Sequence, residues 1–137
     1  MVAKRSGIIL VVDDHKNWRE LLATILETDG HQVRVAGNFQ EAQALLKAHD
    51  FEIAIFDMRL MDSVYDVQGM LLLKEAKRLH PSIKAIILTG YPDTTQRAKA
   101  LDFYGAVHYL EKAPDGQPSF DIDVFSQLMF DLLGESA

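Results

Sequence analysis

The sequence predicts an α/β fold, a doubly wound parallel sheet with helices on both faces. Two observations predict it. Short apolar runs alternate with helix-period segments five times along 137 residues, and strands that alternate with helices build parallel sheets from βαβ units. The first, third and fourth runs are near-continuously apolar, as strands buried on both faces of a parallel sheet are. The length fits one domain over residues 1–137, with its core from about 8 to 133 and no linker or low-complexity segment inside.

The first strand is Ile8 to Val12. The helix after it carries Trp18, Leu21, Leu22, Ile25 and Leu26, spaced i, i+3, i+4, i+7, i+8, and stops at Gly30. The second strand is short, Gln32 to Val35. Asn38 then has the character of an N-cap, with Glu41 three residues on, and Ala42, Leu45 and Leu46 form that helix's inner face. The third strand is "FEIAIF", 51 to 56, and the helix after it runs from near Gly69 to Leu79, before Pro81. The fourth strand is "IKAIIL", 83 to 88; Pro92 opens the next helix and Gly105 closes it. The fifth strand is "AVHYL", 106 to 110, and the last helix carries Phe125, Leu128, Met129 and Leu132.

Composition excludes several function classes. The chain is 48% hydrophobic and 25% charged, ordinary for a soluble globular protein. It holds no apolar run near the roughly 18 residues of a membrane span. "MVAKRSG" is followed only by a short apolar run before Asp13, which is too little for a secretory signal. No cysteine is present, which removes disulfides and thiolate metal sites and suits a reducing cytoplasm. Net charge is −6 with scattered basic residues, against direct nucleic acid binding by this chain.

In doubly wound folds ligands bind at the carboxyl ends of the strands. Asp13 and Asp14 follow the first strand, Asp57 the third, Thr89 and Gly90 the fourth, and Lys112 the fifth. Two adjacent aspartates repel, by about 4 kcal/mol at 4 Å for an effective dielectric near 20. Three carboxylates call for a divalent cation, and oxygen ligands without His or Cys favour Mg²⁺ or Mn²⁺. A lysine and a hydroxyl opposite can hold phosphoryl oxygens, and a central carboxylate can act as nucleophile. The set is suited to phosphoryl transfer onto an aspartate.

The pieces "ILVVDD", "IAIFDMRLM", "AIILTGY" and "GAVHYLEK" occur in that order at matching strand ends. With them the chain resembles the receiver domain of two-component response regulators, from about Ile8 to Leu133. The resemblance implies a flavodoxin-like (βα)5 sheet in strand order 2-1-3-4-5. It implies that Asp57 is the phosphoacceptor and that Asp13, Asp14, Asp57 and the backbone carbonyl of Arg59 bind Mg²⁺. It implies that Lys112 pairs with the acyl phosphate, and that Thr89 and Tyr109 are the switch residues. Gly90 matches a position where the family has a small residue.

The implied function is a cytoplasmic signalling switch rather than an enzyme. It would take a phosphoryl group from a sensor histidine kinase or phosphotransfer protein. The face made by the fourth helix, fifth strand and fifth helix would then shift to control a downstream target, an output domain outside this sequence, or a homodimer. Stand-alone receiver and piece of a longer regulator both stay open.

Three departures from the family pattern stand out. Met61 takes the place of a proline four residues past the acceptor, and Gly69 falls twelve residues past it rather than eight, so the loop "LMDSVYDVQG" is longer by about four. That loop carries Asp62, Tyr65 and Asp66. Ala113 stands where the family has a cis proline after Lys112, with Pro114 one later, and a cis bond before a non-proline residue costs roughly 2.5–4 kcal/mol. Arg59 lies two residues past the acceptor, near enough to affect dephosphorylation.

Plainer readings accompany each residue. Taken in isolation, Asp14 reads as an N-cap, Thr89 as a turn residue and Tyr109 as an ordinary strand aromatic; with Asp57 and Lys112 in place the metal reading of Asp14 prevails. His15 reads as a solvated loop side chain and Trp18 as core-facing. The remaining histidines, 31, 49, 80 and 108, share no spacing. Three other functions compete. A pseudo-receiver would bind partners without phosphorylation. A haloacid-dehalogenase-like phosphatase needs Asp-x-Asp where this chain has adjacent aspartates. A flavin-binding flavodoxin-like module needs a hydroxyl- and glycine-rich phosphate loop where this chain has "DDHKNW".

Overall fold

A computed structural model describes residues 7–58, 68–90, 94–112 and 121–134. Five strands, β1 (Ile8–Val12), β2 (Gln32–Ala36), β3 (Ile53–Phe56), β4 (Lys84–Thr89) and β5 (His108–Glu111), form one sheet in the order β2-β1-β3-β4-β5. Every pairing is parallel. The helices are α1 (Lys16–Thr28), α2 (Phe39–Ala48), α3 (Gln68–Leu79), α4 (Thr94–Ala98) and α5 (Ile122–Gly134). This is the flavodoxin-like architecture and strand order expected.

The strands are buried because successive side chains leave opposite faces of the sheet and both faces are covered. Leu10, Val12, Ala54, Phe56, Ala85 and Ile87 enter one core with residues of α2 and α3. Ile9, Val11, Ile53, Ile55, Ile86 and Leu88 enter the other, with Leu22, Ile25 and Leu26 of α1 and Phe125, Met129, Leu132 and Leu133 of α5. A one-residue slip of any central strand would exchange its two sets of side chains between cores already filled.

Local signals hold. Gly30 ends α1 at φ +91°, a conformation that favours a residue without a Cβ. Asn38 Oδ1 accepts from the Glu41 backbone N–H at 2.9 Å, and Glu41 Oε2 accepts from the Gly37 N–H at 3.0 Å. That is a capping box shifted by one residue, because the glutamate reaches the N–H before the cap rather than the cap's own.

Several boundaries move. Phe51 is buried but precedes β3, β5 begins two residues late, and Thr89 is the last residue of β4 rather than the first beyond it. Leu21 is 39% exposed, since it sits at the edge of the α1 stripe. The fourth helix is not uniform. After α4 the chain widens into a π-helical turn over Lys99–Phe103, where the Tyr104 N–H donates to the Lys99 carbonyl. That turn buries Ala100 and leaves Phe103 80% exposed. The expectations for Arg59, Met61, Asp62, Tyr65, Asp66, Pro92, Ala113 and Pro114 fall outside the described residues.

Candidate functional site

The ladder delivers the acidic residues. The Asp13 N–H donates to the Ala36 carbonyl at 3.1 Å, and the Asp57 N–H to the Val12 carbonyl at 2.8 Å. Both residues therefore continue the hydrogen bonding of β1 and β3 one step past the strands. The Lys112 N–H donates to the Thr89 carbonyl at 2.9 Å, which fixes the far wall in the same way. Arg19, from α1, donates through Nη1 to the Asp13 carbonyl at 2.8 Å.

The side chains then meet. Lys112 Nζ lies 2.7 Å from Asp13 Oδ2 and 3.2 Å from Asp57 Oδ2. All three residues are buried, a placement charged groups take when they are paired. Asp14 is half-buried beside them, and its enclosed Oδ1 lies 2.9 Å from His15 Nδ1. Three carboxylates against one ammonium leave a formal surplus of two negative charges. Ligand atoms of Asp13, Asp14, His15 and Asp57 all lie within 4.8 Å of one another. The donor set and the surplus charge together fit a hard divalent cation.

A close approach of α3 closes the floor. The Gly69 N–H donates to the Met58 carbonyl at 3.1 Å, and a Cβ on residue 69 would overlap the Asp57 carbonyl oxygen and the Met58 Cα. Only glycine fits there. Gly90 leaves the opposite side open: a Cβ would meet nothing nearer than Lys112 Cδ at 3.8 Å.

Thr89 is fully buried, and Tyr109 is half-buried against the α2–α3 core. The register pairs Thr89 with Glu111 and Ile87 with Tyr109, so Thr89 and Tyr109 share one face as diagonal neighbours.

Sequence reasoning passed over two members. Asp14 is not the N-cap of α1. His15 is, without a side-chain cap bond, and its Nδ1 lies 2.9 Å from Asp14 Oδ1 and 3.3 Å from Asp13 Oδ1. Trp18 packs partly against the α1–α5 core, and its ring centroid also lies 5.3 Å from Lys112 Nζ, a cation–π contact. Only the position of His15 directly after the aspartate pair hinted at the first. The i, i+4 spacing of Trp18 from Asp14 was absorbed into the core stripe.

A family model, that of the response regulator receiver domain, matches residues 9–118. The chain belongs to that family. Among curated relatives, the receiver is 32% identical over 107 residues to the transcriptional regulatory protein ZraR of Escherichia coli K12, covering 78% of this chain and 23% of ZraR. It thus spans under a quarter of that relative's length. A CheY-like receiver domain protein from Methanospirillum hungatei JF-1 superposes with a TM-score of 0.79 at 29% identity, covering 95% of this chain and 96% of that one. A response regulator from Burkholderia pseudomallei, solved with a phosphorylated aspartic acid, a calcium ion and citrate, gives 0.75 at 29% identity over 94% and 70% of the two chains.

The expected receiver family and fold are therefore established. Among the described residues, no helix is long and apolar enough to cross a membrane.

Proposed function

We propose that this receiver is a phosphorylation-dependent switch in which Asp57 takes the phosphoryl group. One observation carries the reading: the Lys112 ammonium, buried between Asp13 and Asp57, with a third carboxylate, Asp14, at its side. A structural ion pair has no use for the third carboxylate, whereas a phosphoryl acceptor that works with a divalent cation does.

Asp13, Asp14 and Asp57 would hold Mg²⁺ or Mn²⁺, with the Arg59 carbonyl added on the family pattern. The bound ion supplies positive charge opposite the transferring phosphoryl oxygens. An Asp57 carboxylate oxygen forms the new bond to phosphorus as the phosphorus–nitrogen bond of the kinase's phosphohistidine breaks. The electron pair returns to the imidazole, which takes up a proton. Lys112 exchanges its contact with Asp57 Oδ2 for a phosphoryl oxygen, so the new charge meets an ammonium already in place.

Thr89 donates its hydroxyl toward the phosphoryl group, and Tyr109, on the same face, repacks with it. The face of α4, β5 and α5 shifts in population and passes the signal to a target, an output domain or a second copy. The chain acts as a signalling domain in the cytoplasm rather than as a turnover enzyme. The phosphorylated aspartate of the Burkholderia pseudomallei regulator supports the chemistry.

Incubation with Mg²⁺ and acetyl phosphate should add one phosphoryl group by intact mass. The adduct should need Mg²⁺ and vanish in Asp57→Asn. No adduct with any donor, and no spectral response to beryllofluoride, would establish the pseudo-receiver instead. Steady phosphate release from many monoesters would establish the phosphatase.

A further inference from the structure

The imidazole of His15 stands among the carboxylates, with its Nδ1 turned to Asp13 and Asp14. The ring makes no cap bond to α1, and it is 52% exposed, so the core does not require it. Its backbone is nonetheless fixed, since the His15 N–H donates to Asp13 Oδ1 at 2.9 Å. Its Nδ1 faces the enclosed Asp14 Oδ1 at 2.9 Å and Asp13 Oδ1 at 3.3 Å.

The spacing also suits two ligands of one ion. Ligands at about 2.1 Å from an octahedral ion lie about 3.0 Å apart when adjacent and about 4.2 Å apart when opposite. The His15 distances of 2.9 and 3.3 Å match adjacent positions. The 4.8 Å limit on the whole set exceeds the opposite spacing by an amount a half-exposed side chain closes through a small rotation.

We propose that His15 is a direct ligand at this pocket and biases it from Mg²⁺ toward a first-row transition ion. The proposal rests on the reading that Asp13, Asp14 and Asp57 hold a divalent cation. Mg²⁺ prefers oxygen and gains little from an imidazole, whereas Mn²⁺, Co²⁺ and Ni²⁺ accept it with increasing strength, and Zn²⁺ accepts it too. His15 therefore sets which ion the pocket holds at mixed metal supply.

Trp18 is the single tryptophan, and its ring lies 5.3 Å from the Lys112 ammonium that pairs with Asp13 and Asp57. Its fluorescence reports occupancy without any phosphoryl chemistry. The intact chain, above the ordinary histidine titration range, is titrated with Mg²⁺ and with Ni²⁺ as wild type, His15→Ala and Asp57→Asn. Ni²⁺ displaced by excess Mg²⁺ is counted as pocket-bound, which sets aside the other histidines.

In His15→Ala, Ni²⁺ affinity should fall roughly tenfold or more, while Mg²⁺ affinity changes less than twofold. If both ions bind the pocket and His15→Ala leaves their ratio unchanged, the ligand role is overturned and the acidic pocket stands. If Asp57→Asn alters the affinity of neither ion, the pocket reading fails, and the His15 role fails with it.

Discussion

At the scale of single residues, two buried basic groups do opposite work. Lys112 is charged and held by two carboxylates, so its burial is compensated at the site itself. His31, at the start of β2, is buried, and its Nδ1 accepts the Gly7 backbone N–H at 3.1 Å. That contact needs a neutral ring with its proton on Nε2, packed 5.0 Å from the Phe130 ring. Burial pushes the His31 pKa below its ordinary value, opposed by the charges of Asp29 and Glu52. The unfolded chain then binds the proton more readily than the folded one. Stability from this group is complete above about pH 6.5, the ordinary histidine value, and is lost as pH falls below it. Urea unfolding from pH 7 to 5 should give a falling stability, and His31→Gln should flatten that slope. An unchanged slope would remove His31 as its source.

At the scale of elements, the site depends on how closely α3 approaches β3. Gly69 opens that helix against the Asp57 and Met58 backbone, and no side chain fits. Gly69→Ala must move either α3 or Asp57. A loss of about 2 kcal/mol or more in chemical denaturation is expected, together with slower phosphorylation by acetyl phosphate. Full stability with normal phosphorylation would mean the approach is not needed. The sequence marked Gly69 as a helix start and as the family's glycine displaced by a longer loop, but not as a contact with the Asp57 backbone, because a steric overlap between segments eleven residues apart leaves no local pattern. The π-helical turn after α4 was equally hidden: Pro92 and Gly105 bracket a helix, but neither says that its hydrogen bonds widen.

At the scale of the molecule, function opposes stability. The fold gathers three carboxylates on one edge and supplies one lysine, so the metal-free protein carries repulsion that a bound cation relieves. Mg²⁺ at a hundred times its Kd should stabilise the protein by about 2.7 kcal/mol, read as a rise in the thermal midpoint. Asp14→Asn should raise the metal-free midpoint and abolish most of the Mg²⁺ gain. A metal-free midpoint that falls in Asp14→Asn would show that this carboxylate is structurally compensated.

The sequence by itself determined the alternation of strands and helices, the two-sided burial of β1, β3 and β4, and the identity of the residues past each strand. Those are local properties: periodicity, turn chemistry and strand length are written in neighbouring residues. The strand order came through family resemblance, and the β2-β1-β3-β4-β5 ladder bears it out. Only the tertiary structure decided that Lys112 meets Asp57, 55 residues away in sequence, and Asp13 with the same ammonium. It likewise decided that Trp18 turns part of its ring to that lysine, and that His15 faces the aspartates rather than water alone. Those contacts are set by β-strand register and by where α1 leaves the sheet, and no short window of sequence records either.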